Sequence, residues 1–212
     1  MTVAIIDYGA GNLRSVRNTL VHLGADVRTV RTPDELDGAE KIVLPGVGAF
    51  GDCMDGLQRA DLIEAILMAV ADGKPLLGIC VGLQVLFEVG EELGEHEGLG
   101  ILPGRVVRLD FSELPPASQA RFPLKIPHTG WNQIRPVALS ELLYELPEGS
   151  WAYFNHAYYG QARRDHVLAV TDYGLPLPSV VGRDNVFGIQ FHPEKSQSVG
   201  LHILRNFVER VR

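Results

Sequence analysis

Short apolar segments alternate with helix-like segments along the first ninety residues of the chain. In a helix-like segment the apolar residues recur every three or four positions, as Leu13, Val16, Leu20 and Leu23 do before a stop at Gly24. The strands are predicted at residues 3–7, 26–30, 41–44 and 75–79, and the helices at 13–23, 60–71 and 83–89. Strands that alternate with helices at this spacing predict a parallel, doubly wound sheet and therefore an α/β fold.

The second half of the chain is richer in short β-segments. They are predicted at residues 104–109, 133–135, 151–155, 167–171, 179–182 and 186–191, ahead of a closing helix at 199–211. The glutamate-rich stretch 88–97 is predicted to be a solvated connection, and the prolines from Pro115 to Pro127 an irregular loop. Neither a repeat nor a sharp change of composition divides the chain. We therefore expect one domain over residues 1–212, built on a single open, mostly parallel mixed sheet flanked by helices.

Charge and cysteine content narrow the classes of partner and compartment. The net charge of -7, from 19 basic and 26 acidic residues, disfavours nucleic acid or an anionic membrane as the main partner. No apolar run reaches the roughly 18 residues of a membrane span, and the acidic Asp7 near the start does not fit a signal peptide. Two cysteines cannot build a disulfide framework and fit a reducing environment. We expect a cytoplasmic protein.

The strongest chemical signal is the segment Gly78-Ile79-Cys80-Val81-Gly82, which lies between a predicted strand and a predicted helix. A nucleophile elbow is a turn so tight that its flanking positions tolerate little but glycine. It presents a thiol at the positive end of the next helix, where the thiolate is stabilised. The segment therefore predicts Cys80 as a nucleophile and the amide of Val81 as an oxyanion donor. A buried cysteine in a glycine-rich turn is the alternative.

A nucleophilic cysteine needs a base and a group that orients the base. The predicted strand 186–191 leads directly into His192-Pro193-Glu194. Residues two apart on an extended chain face the same side, and proline favours extended backbone in the residue before it. His192 and Glu194 are therefore predicted to complete a Cys-His-Glu triad at the carboxyl edge of the sheet, where open α/β sheets place their sites. Taken alone, the pair fits an ordinary surface contact better.

The glycine loop Pro45-Gly46-Val47-Gly48 also follows a predicted strand. Glycine leaves backbone amides accessible, so Gly46 or Val47 is a candidate for the second oxyanion donor. Gln84, on the first turn after the elbow, is a candidate substrate contact or a solvated helix residue. Cys53, in the helix expected after the loop, is interpreted as a packed residue. The chain lacks a complete dinucleotide or phosphate-loop motif and a set of metal ligands, so we expect no cofactor and no metal.

Taken together, these motifs resemble the class I glutamine amidotransferase family. The resemblance rests on DYGAGNL at 7–13, PGVGAF at 45–50, GICVGLQ at 78–84, PHTGWN at 127–132 and GIQFHPEKS at 188–196. It implies a flavodoxin-like fold, with Cys80 as nucleophile, His192 as base and Glu194 as its orienter. It also implies that glutamine lies against Gln84 and the loop at 46–47, and that hydrolysis passes through a γ-glutamyl thioester.

The first, second and fourth segments are most similar to glutaminase subunits that pass ammonia to a (β/α)8-barrel synthase, or cyclase, of histidine biosynthesis. This narrower resemblance implies a 1:1 heterodimer with that synthase subunit. The residues that it implies near the subunit interface are Asn12, Trp131, Tyr153, His156 and Lys195. No cofactor is implied.

Two other functions fit part of the pattern. A free-standing cysteine hydrolase or deglycase has an elbow of this type but does not need the Pro-Gly-Val-Gly and Gly-Trp-Asn segments. A binding subunit without activity does not need an intact Cys80, His192 and Glu194. A glutaminase assay with and without a synthase subunit separates these functions.

Overall fold

The computed structural model describes residues 1–112 and 124–212. The helices are α1 (Leu13–His22), α2 (Phe50–Arg59), α3 (Leu62–Ala71), the single turn α4 (Val81–Gln84) and α5 (Gln197–Glu209). The strands are β1 (Thr2–Ile6), β2 (Asp26–Val30), β3 (Lys41–Gly46), β4 (Leu76–Cys80), β5 (Phe87–Gly90), β6 (His96–Glu97), β7 (Leu102–Arg108), β8 (His128–Gln133), β9 (Arg135–Pro136), β10 (Trp151–His156), β11 (Tyr158–Ala162), β12 (Val167–Asp172), β13 (Pro176–Arg183) and β14 (Val186–Ile189). Most of the irregular loop predicted from Pro115 to Pro127 lies outside the described residues.

The main sheet has eight strands in the order β2-β1-β3-β4-β14-β13-β12-β9. The pairs from β2 to β14 are parallel, and the last three strands are antiparallel. The prediction of an open, mostly parallel mixed sheet is therefore confirmed. The parallel strands other than the edge strand β2 are buried along most of their length, as expected for strands covered by helices on their faces. The helices pack in two groups, α1 with α5 and α2 with α3.

Two smaller sheets accompany the main one and were not predicted. One pairs β10 with β8, and the other has the order β11-β7-β5-β6. The strand predicted at 133–135 divides into β8 and β9 around Ile134, which is buried. It divides because β8 pairs with β10 whereas β9 joins the edge of the main sheet beside β12.

The helix predicted at 83–89 is wrong. After the single turn α4, the chain enters β5, which pairs with β7 and β6. The ring of Phe87 explains the change, because it fills space that Gly160 and Gly104 leave free: a Cβ on Gly160 would lie 2.3 Å from that ring. The stretch predicted to be a solvated connection is thus partly the hairpin of β5 and β6, although most of its glutamates are exposed.

The topology brings the three motif-bearing loops together. β3, β4 and β14 are neighbours, and their carboxyl ends carry the glycine loop, Cys80 and the segment leading to His192. Gly46 pairs with Cys80, and Ile189 pairs with Ile79, so the three ends lie level at one edge. Among the residues that the structure describes, no helix has the length and apolar character needed to cross a membrane.

Candidate active site

The elbow at Cys80 is strained in the way that its glycines suggest. Cys80 ends β4 with φ 56° and ψ −111°, a backbone conformation that residues other than glycine rarely adopt. A Cβ on Gly82 would lie 1.8 Å from the carbonyl oxygen of Leu44, and one on Gly78 would lie 2.5 Å from that of Gly82. The turn therefore requires glycine on both sides, and it places Cys80 at the N-terminus of α4.

His192 lies between Cys80 and Glu194. Its Nδ1 is 3.0 Å from Glu194 Oε1, and the interaction of its ring with the Cys80 side chain raises the pKa of His192. Because Nδ1 is engaged by the carboxylate, the contact with sulphur falls to the opposite nitrogen. Glu194 Oε1 also accepts a hydrogen bond from Asn12 Nδ2 at 3.2 Å. The structure thus brings together the three side chains predicted as a triad, with His192 bonded to Glu194 and beside Cys80.

The electrostatics of this chain favour a charged imidazole beside the sulphur. Burial opposes the charged ring, but hydrogen bonds with Cys80 and Glu194, and their negative charges, raise the pKa of His192 to about 9. Burial likewise acts to raise the pKa of Glu194, yet the hydrogen bond with His192, its charge and the side-chain amide of Asn12 hold that pKa below its usual range. These shifts favour a charged imidazolium at His192, held by the ionised carboxylate of Glu194 beside Cys80.

A cavity of about 200 Å³ is lined by Cys80 and His192. Val47 and Val81 both line it, as Cys80 does, while Gly46 lies one residue before Val47 and ends β3. The smaller sheets supply the opposite wall. The other lining residues are Gly48, Gln84, Glu92, Pro127, Asn155, His156, Ala157, Tyr158 and Lys195. The cavity therefore brings Cys80, His192, Val47 and Val81 together.

The sequence matches the family profile described as Glutamine amidotransferase class-I over residues 4–211. The chain belongs to this family. It is 50% identical over 206 residues to the imidazole glycerol phosphate synthase subunit HisH of Desulfitobacterium hafniense, covering 97% of this chain and 92% of the relative. The protein of that name from Salinibacter ruber is 50% identical (96% and 92% covered), and that from Methanothermobacter thermautotrophicus is 47% identical (99% and 99%).

Solved structures agree with this assignment at the level of the fold. The structure of PurLQS from Thermotoga maritima has a TM-score of 0.75 at 18% identity, with 100% of this chain and 99% of that chain covered. A crystal structure titled glutamine amidotransferase has a TM-score of 0.72 at 21% identity, with 98% and 97% covered.

In this amidotransferase Gln84 is almost fully buried in the cavity wall. Its Nε2 donates to the carbonyl of Tyr158 at 2.9 Å and to Gln190 Oε1 at 3.2 Å. Gln190 in turn directs its Nε2 toward Cys80 Sγ at 3.9 Å. The sequence reasoning missed Gln190, although its position two residues before His192, on a predicted strand, places it on the same side of the chain.

The residues expected at a subunit interface occupy different places. Trp131, Tyr153 and Lys195 form an exposed cluster, with 6.2 Å between the two ring centroids and 5.6 Å from Lys195 Nζ to the Tyr153 ring. The Tyr153 ring lies 6.4 Å from that of His192, so this cluster adjoins the triad. Asn12 instead contacts the triad directly through Glu194.

His156 is buried rather than surface-exposed. Its Nε2 is 3.1 Å from His128 Nδ1, and its Nδ1 is 2.9 Å from the carbonyl of Tyr158. It therefore belongs to the cavity wall. Within residues 1–112 and 124–212, no group of three or more His, Cys, Asp or Glu side chains is arranged to hold a metal ion.

Proposed function

We propose that this chain is the glutaminase subunit of an imidazole glycerol phosphate synthase and hydrolyses glutamine to glutamate and ammonia. The observation that carries the proposal is the position of His192, which is hydrogen-bonded to Glu194 and shares with Cys80 a cavity lined by Val47 and Val81. The identity of about half the residues with HisH subunits, over nearly the whole of both chains, supports this particular amidotransferase. We also propose that residues 1–212 act as one domain.

The first half-reaction releases ammonia. The Cys80 thiolate attacks the carboxamide carbon of glutamine, and the electron pair of the carbonyl moves to oxygen. The amides of Val81 and Val47 or Gly46 donate to that oxyanion. The imidazolium of His192 then gives its proton to the departing nitrogen, the carbon–nitrogen bond breaks, and ammonia leaves a γ-glutamyl thioester on Cys80.

The second half-reaction regenerates the enzyme. Neutral His192 takes a proton from water, the hydroxide attacks the thioester carbon, and the carbon–sulphur bond breaks to give glutamate and the Cys80 thiolate. Glu194 holds the ring with Nδ1 protonated, so the opposite nitrogen is free to exchange protons. Gln84 lines the cavity beside Cys80 and is assigned to the contact with the substrate.

The ammonia is proposed to pass to a (β/α)8-barrel synthase subunit in a 1:1 heterodimer. That subunit uses it to make imidazole glycerol phosphate and aminoimidazole carboxamide ribotide in histidine biosynthesis. The exposed cluster of Trp131, Tyr153 and Lys195 adjoins the triad, which supports this face as the docking surface. Asn12 and His156 lie behind it, against the triad and in the cavity wall, and are assigned to the same region.

The test separates the release of ammonia from glutamine on this chain from the synthesis that uses ammonia on the partner subunit. Cys80→Ala, assembled with the synthase subunit, is expected to lose glutamine-dependent synthesis and to retain synthesis from ammonium salts, because the thiol serves only to release ammonia. The ammonium reaction is the internal control for assembly and for the synthase site. If the assembled variant loses both activities, or retains the glutamine reaction, the proposed division of labour is wrong.

A further inference from the structure

Two buried polar side chains that the triad does not use lie beneath the glycine loop. Tyr8 follows β1 and is 8% exposed, and Cys53 lies on α2 and is fully buried. The Tyr8 ring is confined on the α2 side, because a Cβ on Gly56 would lie 2.7 Å from its Cδ2. Both side chains therefore have fixed positions under the loop.

Each of them donates a hydrogen bond to a carbonyl of the loop. Tyr8 Oη donates to the carbonyl of Pro45 at 2.8 Å, and Cys53 Sγ donates to that of Val47 at 3.5 Å. Burial raises the pKa of the Tyr8 phenol well above its usual value and raises that of the Cys53 thiol, so both groups keep the proton that they donate. The two accepting carbonyls stand on either side of Gly46.

This arrangement fixes the peptide units that flank the oxyanion donor. The Pro45 carbonyl belongs to the peptide before Gly46, and the Val47 carbonyl belongs to the peptide after Val47. Between them lies the one peptide unit that carries the Val47 amide. Gly46 itself is pressed against the elbow, since a Cβ there would lie 2.5 Å from the amide nitrogen of Gly82. Hydrogen bonds hold the peptides on either side of the Gly46–Val47 peptide. The direction of the Val47 amide is then set by rotation about the two single bonds that flank the Gly46–Val47 peptide.

We propose that Tyr8 and Cys53 are positioning residues for the second oxyanion donor: they hold the carbonyls of Pro45 and Val47 so that the Val47 amide faces the Cys80 reaction point. The inference rests on the proposed glutaminase function. It assigns a role to Cys53 that is neither nucleophilic nor merely apolar packing. A side chain that only fills space contributes through its volume, whereas a positioning donor contributes through its proton.

The experiment compares Tyr8→Phe, Cys53→Ala and Cys53→Ser in the complex with the synthase subunit, by glutaminase kcat and KM. Tyr8→Phe and Cys53→Ala are each expected to lower kcat about tenfold with KM unchanged, within the roughly 10²–10³-fold that loss of a whole oxyanion donor costs. Cys53→Ser keeps a hydroxyl donor and is expected to lose less than Cys53→Ala. Met54→Leu, on the same helix, is the control and is expected to keep the wild-type kcat.

A second readout separates positioning from general damage. Alkylation of Cys80 by iodoacetamide needs the thiolate but no oxyanion donor, so its pH profile is expected to be unchanged in all the variants. The inference is overturned if Tyr8→Phe and Cys53→Ala keep the wild-type kcat, if Cys53→Ser is as impaired as Cys53→Ala, or if alkylation slows in parallel with turnover. Failure of the proposed function would be visible earlier, as a wild-type complex that makes no product from glutamine.

Discussion

Gly200 offers a way to displace the triad from outside the active site. It lies in the first turn of α5, and a Cβ at this position would be 1.9 Å from the carbonyl oxygen of Pro193. That oxygen belongs to the peptide that joins Pro193 to Glu194. The obstacle is backbone, so no side-chain rotation relieves it. Gly200→Ala must therefore move the turn that carries Glu194, the helix, or both.

The size of the movement follows from these distances. Real Cβ atoms essentially never approach a heavy atom closer than 3.0 Å, so the added methyl group would require Pro193 and the helix to separate by about 1.1 Å or more. The bond between His192 Nδ1 and Glu194 Oε1 is 3.0 Å long, and an added ångström takes it beyond hydrogen-bond reach. Since a misplacement of this size costs about 10²-fold in rate, kcat is expected to fall about a hundredfold. Overpacking is expected to reduce the free energy of unfolding by roughly 1–3 kcal/mol.

The assay is steady-state glutaminase turnover in the complex, beside denaturant unfolding of the isolated chain. Ser198→Ala is the matched control, because it changes an exposed residue in the same turn of α5 and is expected to leave kcat unchanged. The ammonium-dependent reaction of the Gly200→Ala complex is expected to stay at the wild-type rate. A folded Gly200→Ala variant with normal glutamine kcat would refute the reasoning, because the close approach of α5 would then not fix the position of Glu194.

Glu194→Gln is expected to lower glutaminase kcat less than His192→Ala does, because the orienter holds the base but does not itself transfer the proton; equal losses in steady-state assays would contradict this. Burial lowers the pKa of His128 to about 4, whereas an unfolded histidine titrates near 6.5, so the unfolded chain binds the additional proton. The free energy of unfolding should therefore fall by about 1.4 kcal/mol per pH unit for this ring as pH drops through that window, and His128→Phe should remove that part of the slope in a series of equilibrium unfolding curves. The buried Lys41 donates to three carbonyls around the end of α5, and Lys41→Met is expected to cost roughly 2–4 kcal/mol because it leaves them without that donor. Arg205→Met, at an exposed position of the same helix, should change the unfolding free energy by less than about 0.5 kcal/mol.

The inner parallel strands β1, β3, β4 and β14 were predictable because they are buried and carry largely apolar runs. The run Lys41–Gly46, for example, is buried throughout, and Leu76–Cys80 behaves in the same way. The misassigned segment at 83–89 has an equally apolar start, and apolar character alone does not separate a buried helix from a buried strand. What decides it is the space left by Gly160, which lies more than seventy residues along the chain.

Local sequence signals also predict only part of the candidate active site. Cys80, His192 and Glu194 could be proposed individually as a triad, since the elbow glycines and the His-Pro-Glu segment have local signatures. The residues that hold them could not, because the bonds are formed across the fold. Asn12 reaches Glu194 from the other end of the chain, and Gln84 and Gln190 meet through the sheet edge. A side-chain amide carries no local signature of its partner, so its role becomes visible only when the topology is known.

The turn after His192 connects the triad to the surface that is assigned to the partner. The amide of His192 donates to the carbonyl of Tyr153 at 2.8 Å, and Ser196 Oγ accepts from the amide of Tyr153 at 3.0 Å while donating to the His192 carbonyl. Tyr153 thus holds both ends of the turn that carries Glu194, and its ring packs toward Trp131 and Lys195 on the exposed side. A partner that contacts this cluster would therefore contact β10, the strand whose Tyr153 carbonyl accepts the hydrogen bond from the His192 amide. Tyr153 alone therefore separates the proposed docking surface from the backbone of His192.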